Sequence, residues 1–164
     1  MRLLISLVLC LHLVSVVAQD IQKEINEQVW KPFITTFNSF DTDGFMAVHS
    51  MDVVRSARDG KSVWNWSEYK ERQQKGDQRS KENKYRRNLE LRFTERIAQN
   101  NLSVEVGIYK TTSYNAKGEA QSFFGRFHVV LRKEDGVWKI LVDTDSSEGS
   151  TISEKDFLAA KPME

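Results

Sequence analysis

Cysteine is almost missing from this sequence. The single one in 164 residues, Cys10, lies inside an almost unbroken apolar run, so from residue 19 onward there is no disulfide, thiol nucleophile or thiolate metal site. Proline is nearly as scarce, with only Pro32 and Pro162, and eight glycines are scattered without period, which excludes collagen-like and low-complexity chains. No sign of charge dominates: 24 Lys and Arg stand against 23 Asp and Glu, a net charge of +1. A balance that close gives no global support for capture of nucleic acid or of an acidic membrane surface. Of three histidines, His12 falls in the apolar run, and His49 and His128 lack a neighbouring His or Cys, so no metal site is expected.

What is present begins with a leader. Met1-Arg2 is a short positive start, Leu3 to Val17 is an apolar run of fifteen residues, and Val16 and Ala18 have the small-residue spacing that a signal peptidase accepts. The run is shorter than the roughly 20 residues of a spanning helix. Residues 1–18 therefore read as a signal peptide cleaved after Ala18, and residues 19–164 as one secreted or periplasmic domain. Leu9 is too bulky to precede a lipoprotein cysteine, so no membrane anchor is expected. Losing Arg2 brings the remaining chain to zero net charge, and 146 residues suffice for a hydrophobic core.

Ile21, Ile25, Val29, Phe33 and Phe37 recur every four residues from Asp20 to Phe40, one apolar face of a helix that Pro32 should kink or divide. Asp41 caps a short second helix over Gly44 to His49, and Met51 to Ala57 reads as a strand stopped by Asp59-Gly60. Glu68 to Arg87, opened by Ser67, reads as a solvated helix broken near Gly76-Asp77. From Leu89 the period changes to two, through four long segments joined by turns at Asn115 to Gly118 and Glu134 to Gly136. A short last helix is expected over Ser153 to Ala160. The fold class is α+β: a curved antiparallel sheet wrapped around N-terminal helices.

Three stretches carry a resemblance: Val29-Trp30-Lys31-Pro32-Phe33 through Phe37, Asp41-Thr42-Asp43-Gly44-Phe45, and Gly125 to Val130 with Glu134 to Ile140 and Asp143. Their order resembles the nuclear transport factor 2-like superfamily, its SnoaL-like members in particular. The resemblance implies a cone with a pocket at its wide end, and homodimers packed through the sheet. It does not imply one function, since that cone hosts isomerases, cyclases, dehydratases, adaptors and binding proteins.

On the strand that follows Gly125, strict alternation puts Phe124, Arg126, His128 and Val130 on one face. By position, His128 resembles the oxyanion-stabilising acid of the superfamily's ketosteroid isomerases. The same alternation sets Val137, Leu141, Asp143 and Asp145 together, which brings Asp143 toward His128. Such a pair in an apolar pocket would serve as general acid or base, or would merely close the cone. Trp30, Phe33, Phe37, Tyr109, Arg126 and Leu141 are the expected pocket lining. The first helix lacks a tyrosine, and Arg55-Ser56-Ala57-Arg58 offers no carboxylate before Asp59, so ketosteroid isomerisation itself is rejected. Asp41-Thr42-Asp43-Gly44 opens like a calcium loop but continues with Phe45 and Met46. Trp64 and Trp66 flank Asn65 and anchor the polar helix or form a lid, and Asn65 and Asn101 head glycosylation sequons, which have meaning only in a eukaryotic secretory pathway. A small apolar or amphipathic ligand is the leading expectation; a proton-transferring enzyme and a dimerisation module are the alternatives.

Overall fold

The computed structural model describes residues 20–163, so the expected signal peptide and its cleavage site lie outside the described residues. Helix α1 runs over 20–39; its turn Asn26–Trp30 is π-helical, closed by the Lys31 N–H on the Asn26 carbonyl, and Lys31–Ser39 is α-helical. Pro32 has no N–H to give, and the widened turn carries the helix past it instead of dividing it. Phe40 ends the helix in the left-handed region, and the Asp41 carboxylate accepts from the Gly44 N–H to start α2, Thr42–Ala47. His49 therefore falls outside the helix and begins strand β1, His49–Ala57.

Strand β2 is Ser62–Trp64, and α3 is Trp66–Glu82. Asn65, not Ser67, is its cap, in a reciprocal capping box with Glu68. The expected break at Gly76-Asp77 is absent. Asp77 turns inward instead, 2% exposed, and accepts from Thr42 Oγ1 at 2.7 Å, Gln73 Nε2 at 2.9 Å and Arg87 Nη2 at 2.7 Å. An anchored carboxylate gives this charge-rich helix a docked face that its hydrophobic content could not supply.

Four long strands follow: β3 Arg86–Gln99, β4 Leu102–Tyr114, β5 Ala120–Glu134 and β6 Val137–Ser146. Helix α4, Glu154–Ala159, and strand β7, Lys161–Pro162, complete the chain. The sheet order is β2-β1-β6-β5-β4-β3-β7. The four long strands are antiparallel neighbours as expected, but β1 joins β6 in parallel, so the whole sheet is mixed. Helix α1 crosses the concave face, where Ile25, Val29 and Trp30 pack on Val129, Leu131, Trp138 and Ile140. Asn38 Oδ1 accepts from the Leu89 N–H and Gln22 Nε2 donates to the Arg96 carbonyl, so side chains of α1 cover part of the β3 edge.

Two glycines on the concave face make its curvature and its space. Gly107 pairs with Phe127, and Gly125 pairs with Tyr109. A Cβ on Gly107 would stand 2.4 Å from the Phe127 ring, and one on Gly125 would stand 2.4 Å from Tyr109 Oη. Each ring lies flat over its neighbour's missing side chain.

The continuity of α3 can be checked at Gly76, where an added Cβ meets nothing within 4 Å. Gly76→Ala should stabilise the protein by about 0.5–1 kcal/mol, read as a raised midpoint in thermal or urea unfolding, because a helix-interior glycine loses more backbone entropy on folding. A lowered midpoint would mean that the helix bends there.

Candidate functional site

A cavity of about 470 Å³ opens between α1, α3 and the concave face. Its walls are aromatic, with Trp30, Phe33, Phe37, Tyr109 and Phe127 among them, while Arg55, Asp143 and Asp145 form a charged end. Trp30 is oriented from behind: its indole N–H donates to Glu105 Oε2 at 2.6 Å, and Glu105, wholly buried, also accepts from Arg96 Nη2 at 3.0 Å. Burial pushes the Glu105 carboxyl up, against the pull of Arg96 and Trp30. At the mouth the Arg87 guanidinium stacks on Phe37, 3.6 Å from the ring centre, and is matched by Asp77.

The charged end is assembled from three elements around Asp143 of β6. Tyr69 of α3 donates its hydroxyl to Asp143 Oδ2 at 2.8 Å. Arg55 of β1 places Nε 3.7 Å from the same oxygen, and donates through Nη1 to the Asp143 and Ser56 carbonyls and through Nη2 to Asp145 Oδ1 at 2.8 Å. His49 gives its Nδ1–H to the Phe45 carbonyl at 2.9 Å, which leaves Nε2 3.5 Å from Asp143 Oδ2. Burial alone would raise the Asp143 carboxyl; the Arg55 guanidinium, with His49 and Tyr69, overcomes it and holds the group well below the usual carboxylate range. Asp145 goes the other way, raised by burial and by Asp143 against the pull of Arg55. Burial, with Asp145 and Asp59 nearby, pushes the Tyr109 phenol up to about 12.

Four of the expected lining residues, Trp30, Phe33, Phe37 and Tyr109, meet in this cavity, and Asp143 joins them. His128, Arg126 and Leu141 do not line it. For Leu141 the reason is one extra residue: the β5–β6 register shifts between Val130 and Leu131, which pair with Val142 and Ile140, so Leu141 is a bulge. Strict alternation through β6 therefore misassigns Asp143 relative to Trp138 and Ile140; all of these face inward. On β5 it is Phe127, Val129 and Leu131 that face the core, and His128 is exposed on the convex side, opposite Thr144. Arg126 shares that side and binds Glu148 at 3.0 Å. His128 and Asp143 are thus not brought together. Asp143's histidine is His49.

Sequence reasoning did not assign Arg55, Tyr69 or His49 to the site. Tyr69 had a readable signal, as the one aromatic residue inside a helix otherwise polar beyond Trp66. Arg55 had one too, following inward Val53 at the strand period. Trp64 lines the cavity mouth with Arg72 stacked 4.5 Å over its ring, while half-buried Trp66 joins the two core clusters.

Solved structures with this arrangement are numerous. A conserved protein from Planctomyces limnophilus superposes with a TM-score of 0.66 at 16% identity, covering 77% of this chain and 94% of its own. A nuclear transport factor 2-like superfamily protein from Salmonella enterica gives 0.61 at 18%, covering 81% and 92%. The fold is nuclear transport factor 2-like. A ketosteroid isomerase-like protein from Erwinia carotovora shares it, with a TM-score of 0.57 at 18% identity over 74% of this chain and 92% of its own. No protein-family model and no curated protein sequence matches this chain. Likeness at these identities establishes the nuclear transport factor 2-like cone and leaves its use to the residues inside it.

Asp143→Asn should destabilise the protein by roughly 3 kcal/mol at neutral pH, since Arg55 loses the buried one of its two carboxylate partners. An unfolded aspartate titrates near pH ~4, and the folded state holds this one lower, so its stabilising effect is present above that pH and fades as pH falls below it. Urea midpoints of native and variant protein should accordingly converge in acid. A penalty independent of pH would contradict the charge assignment.

Proposed function

We propose that this chain is an exported binding protein whose cone takes a small apolar or amphipathic molecule. The observation that carries the reading is the 470 Å³ cavity, aromatic along its length and charged at one end. That size falls within the usual range for small-molecule sites, roughly 300–1,000 Å³, and so does the ratio of many apolar walls to few polar groups. Proton transfer has weaker support, because His128 stands on the convex face and the cavity-side histidine, His49, is 4% exposed behind Asp143.

The test uses protein recovered from outside the cytoplasm, where intact mass should place its start at Gln19. Titration with a neutral solvatochromic dye, followed through tryptophan fluorescence, should show saturable binding. Leu91→Trp, which fills the cavity from β3, should weaken it at least about tenfold by steric exclusion. Undiminished dye binding in that variant would sink the reading.

We also propose a homodimer formed through the convex face. Ile97, Val104, Val130, Val142 and Val54 are successive cross-strand partners over five strands, and Ile97, Val54 and Val104 are exposed. A continuous β-branched ladder on a solvent face is a patch that a second copy can cover. Sedimentation velocity should show a dimer for the native protein and a monomer for Val130→Asp; a native monomer at tens of micromolar would refute this.

A further inference from the structure

Resting on the binding reading above, we propose that the charged end of the cavity receives a protonated amine carried on an apolar body. The argument begins with acceptors that nothing in the chain uses. Tyr69 occupies Asp143 Oδ2 and Arg55 occupies Asp145 Oδ1, whereas no described residue donates to Asp143 Oδ1 or to Asp145 Oδ2. Both carboxylates line the cavity, and Asp145 keeps a third of its side chain accessible. Tyr109 Oη, held over Gly125, likewise has no partner among the described residues.

Charge points the same way. One guanidinium stands between two carboxylates, so this end carries an excess of one acidic group, with Asp143 buried and Asp145 partly open to the cavity. Arg55 spends Nη1 on two backbone carbonyls and Nη2 on Asp145, which turns its donors toward the protein and away from a ligand. The cation at the other end, Arg87, is matched by Asp77, and Arg72 lies on Trp64 at the mouth. An anionic headgroup entering first would meet two carboxylates in low dielectric. An ammonium entering first meets free acceptors, and Trp30, Phe33 and Phe127 offer its stem an apolar wall. The predicted ligand is therefore a primary or secondary amine on an alkyl or aryl chain, oriented amine inward.

The probes are octylamine, 1-octanol and octanoate, which share a chain and differ in headgroup charge. Calorimetric titration of the native protein at neutral pH should rank amine above alcohol above carboxylate, with about tenfold between the first two. Asp145→Asn should bring the amine-to-alcohol ratio close to one. Octanoate binding as tightly as octylamine, or an amine preference untouched by Asp145→Asn, overturns the proposal while leaving a ligand-binding cone. If no octyl compound binds and the neutral dye also fails, the binding reading itself falls. Should Asp145→Asn not fold, the ranking on the native chain decides alone.

Discussion

A single buried carboxylate sets the geometry of the cavity's charged end. Asp143 sits on β6, yet the groups that neutralise it come from β1 and α3, with His49 arriving where α2 hands over to β1. A carboxylate at 7% exposure is costly to bury unless its charge is met, so these elements can reach their positions only together. The parallel pairing of β1 with β6 follows from the same requirement. It sets Arg55 directly beside Asp143 in the register, where the guanidinium reaches both the side chain and the backbone carbonyl. These polar contacts are thus what orient α3, which has few apolar residues with which to dock.

Space inside the cone is a second constraint, and glycine meets it. Gly107 and Gly125 alternate with Phe127 and Tyr109 in one cross-strand pattern, so large rings cover small gaps and leave the region between sheet and helices unfilled. A side chain at either glycine would push a ring inward and shrink the cavity. Trp30 is fixed from outside the cavity by Glu105, which spares the cavity face of the indole from any hydrogen bond of its own. A wall residue held from behind in this way keeps its place while adding no polar demand of its own to the cavity.

Periodicity made the helical stripe and the four long strands legible, along with most of the aromatic wall, because core burial enforces those spacings residue by residue. It failed where the chain departs from its period. Leu141 adds one residue to β6, and no local composition marks it, so reading outward from Trp138 inverts Asp143. His128 is assigned to the pocket by a resemblance that fixes a position along the strand more firmly than a face of it. Gly76-Asp77 looked like a helix break because local propensity favours one, whereas the Asp77 carboxylate is satisfied by Thr42, Gln73 and Arg87, two of them distant in sequence. Contacts of that kind are invisible to any windowed reading.

The two charged clusters along the cavity are also unlike in a way that bears on what can enter. Asp77 with Arg87 is a closed pair at the mouth, one acid to one base, with the guanidinium stacked on Phe37. Asp143, Asp145 and Arg55 are two acids to one base at the inner end, and burial magnifies the mismatch. That crowding shows in Asp145, whose carboxyl is raised by burial and by Asp143 against the pull of Arg55. An entering cation would offset the excess acidic group and would lower the Asp145 carboxyl. Occupancy and the protonation of Asp145 are therefore linked, whatever the rest of the occupant looks like.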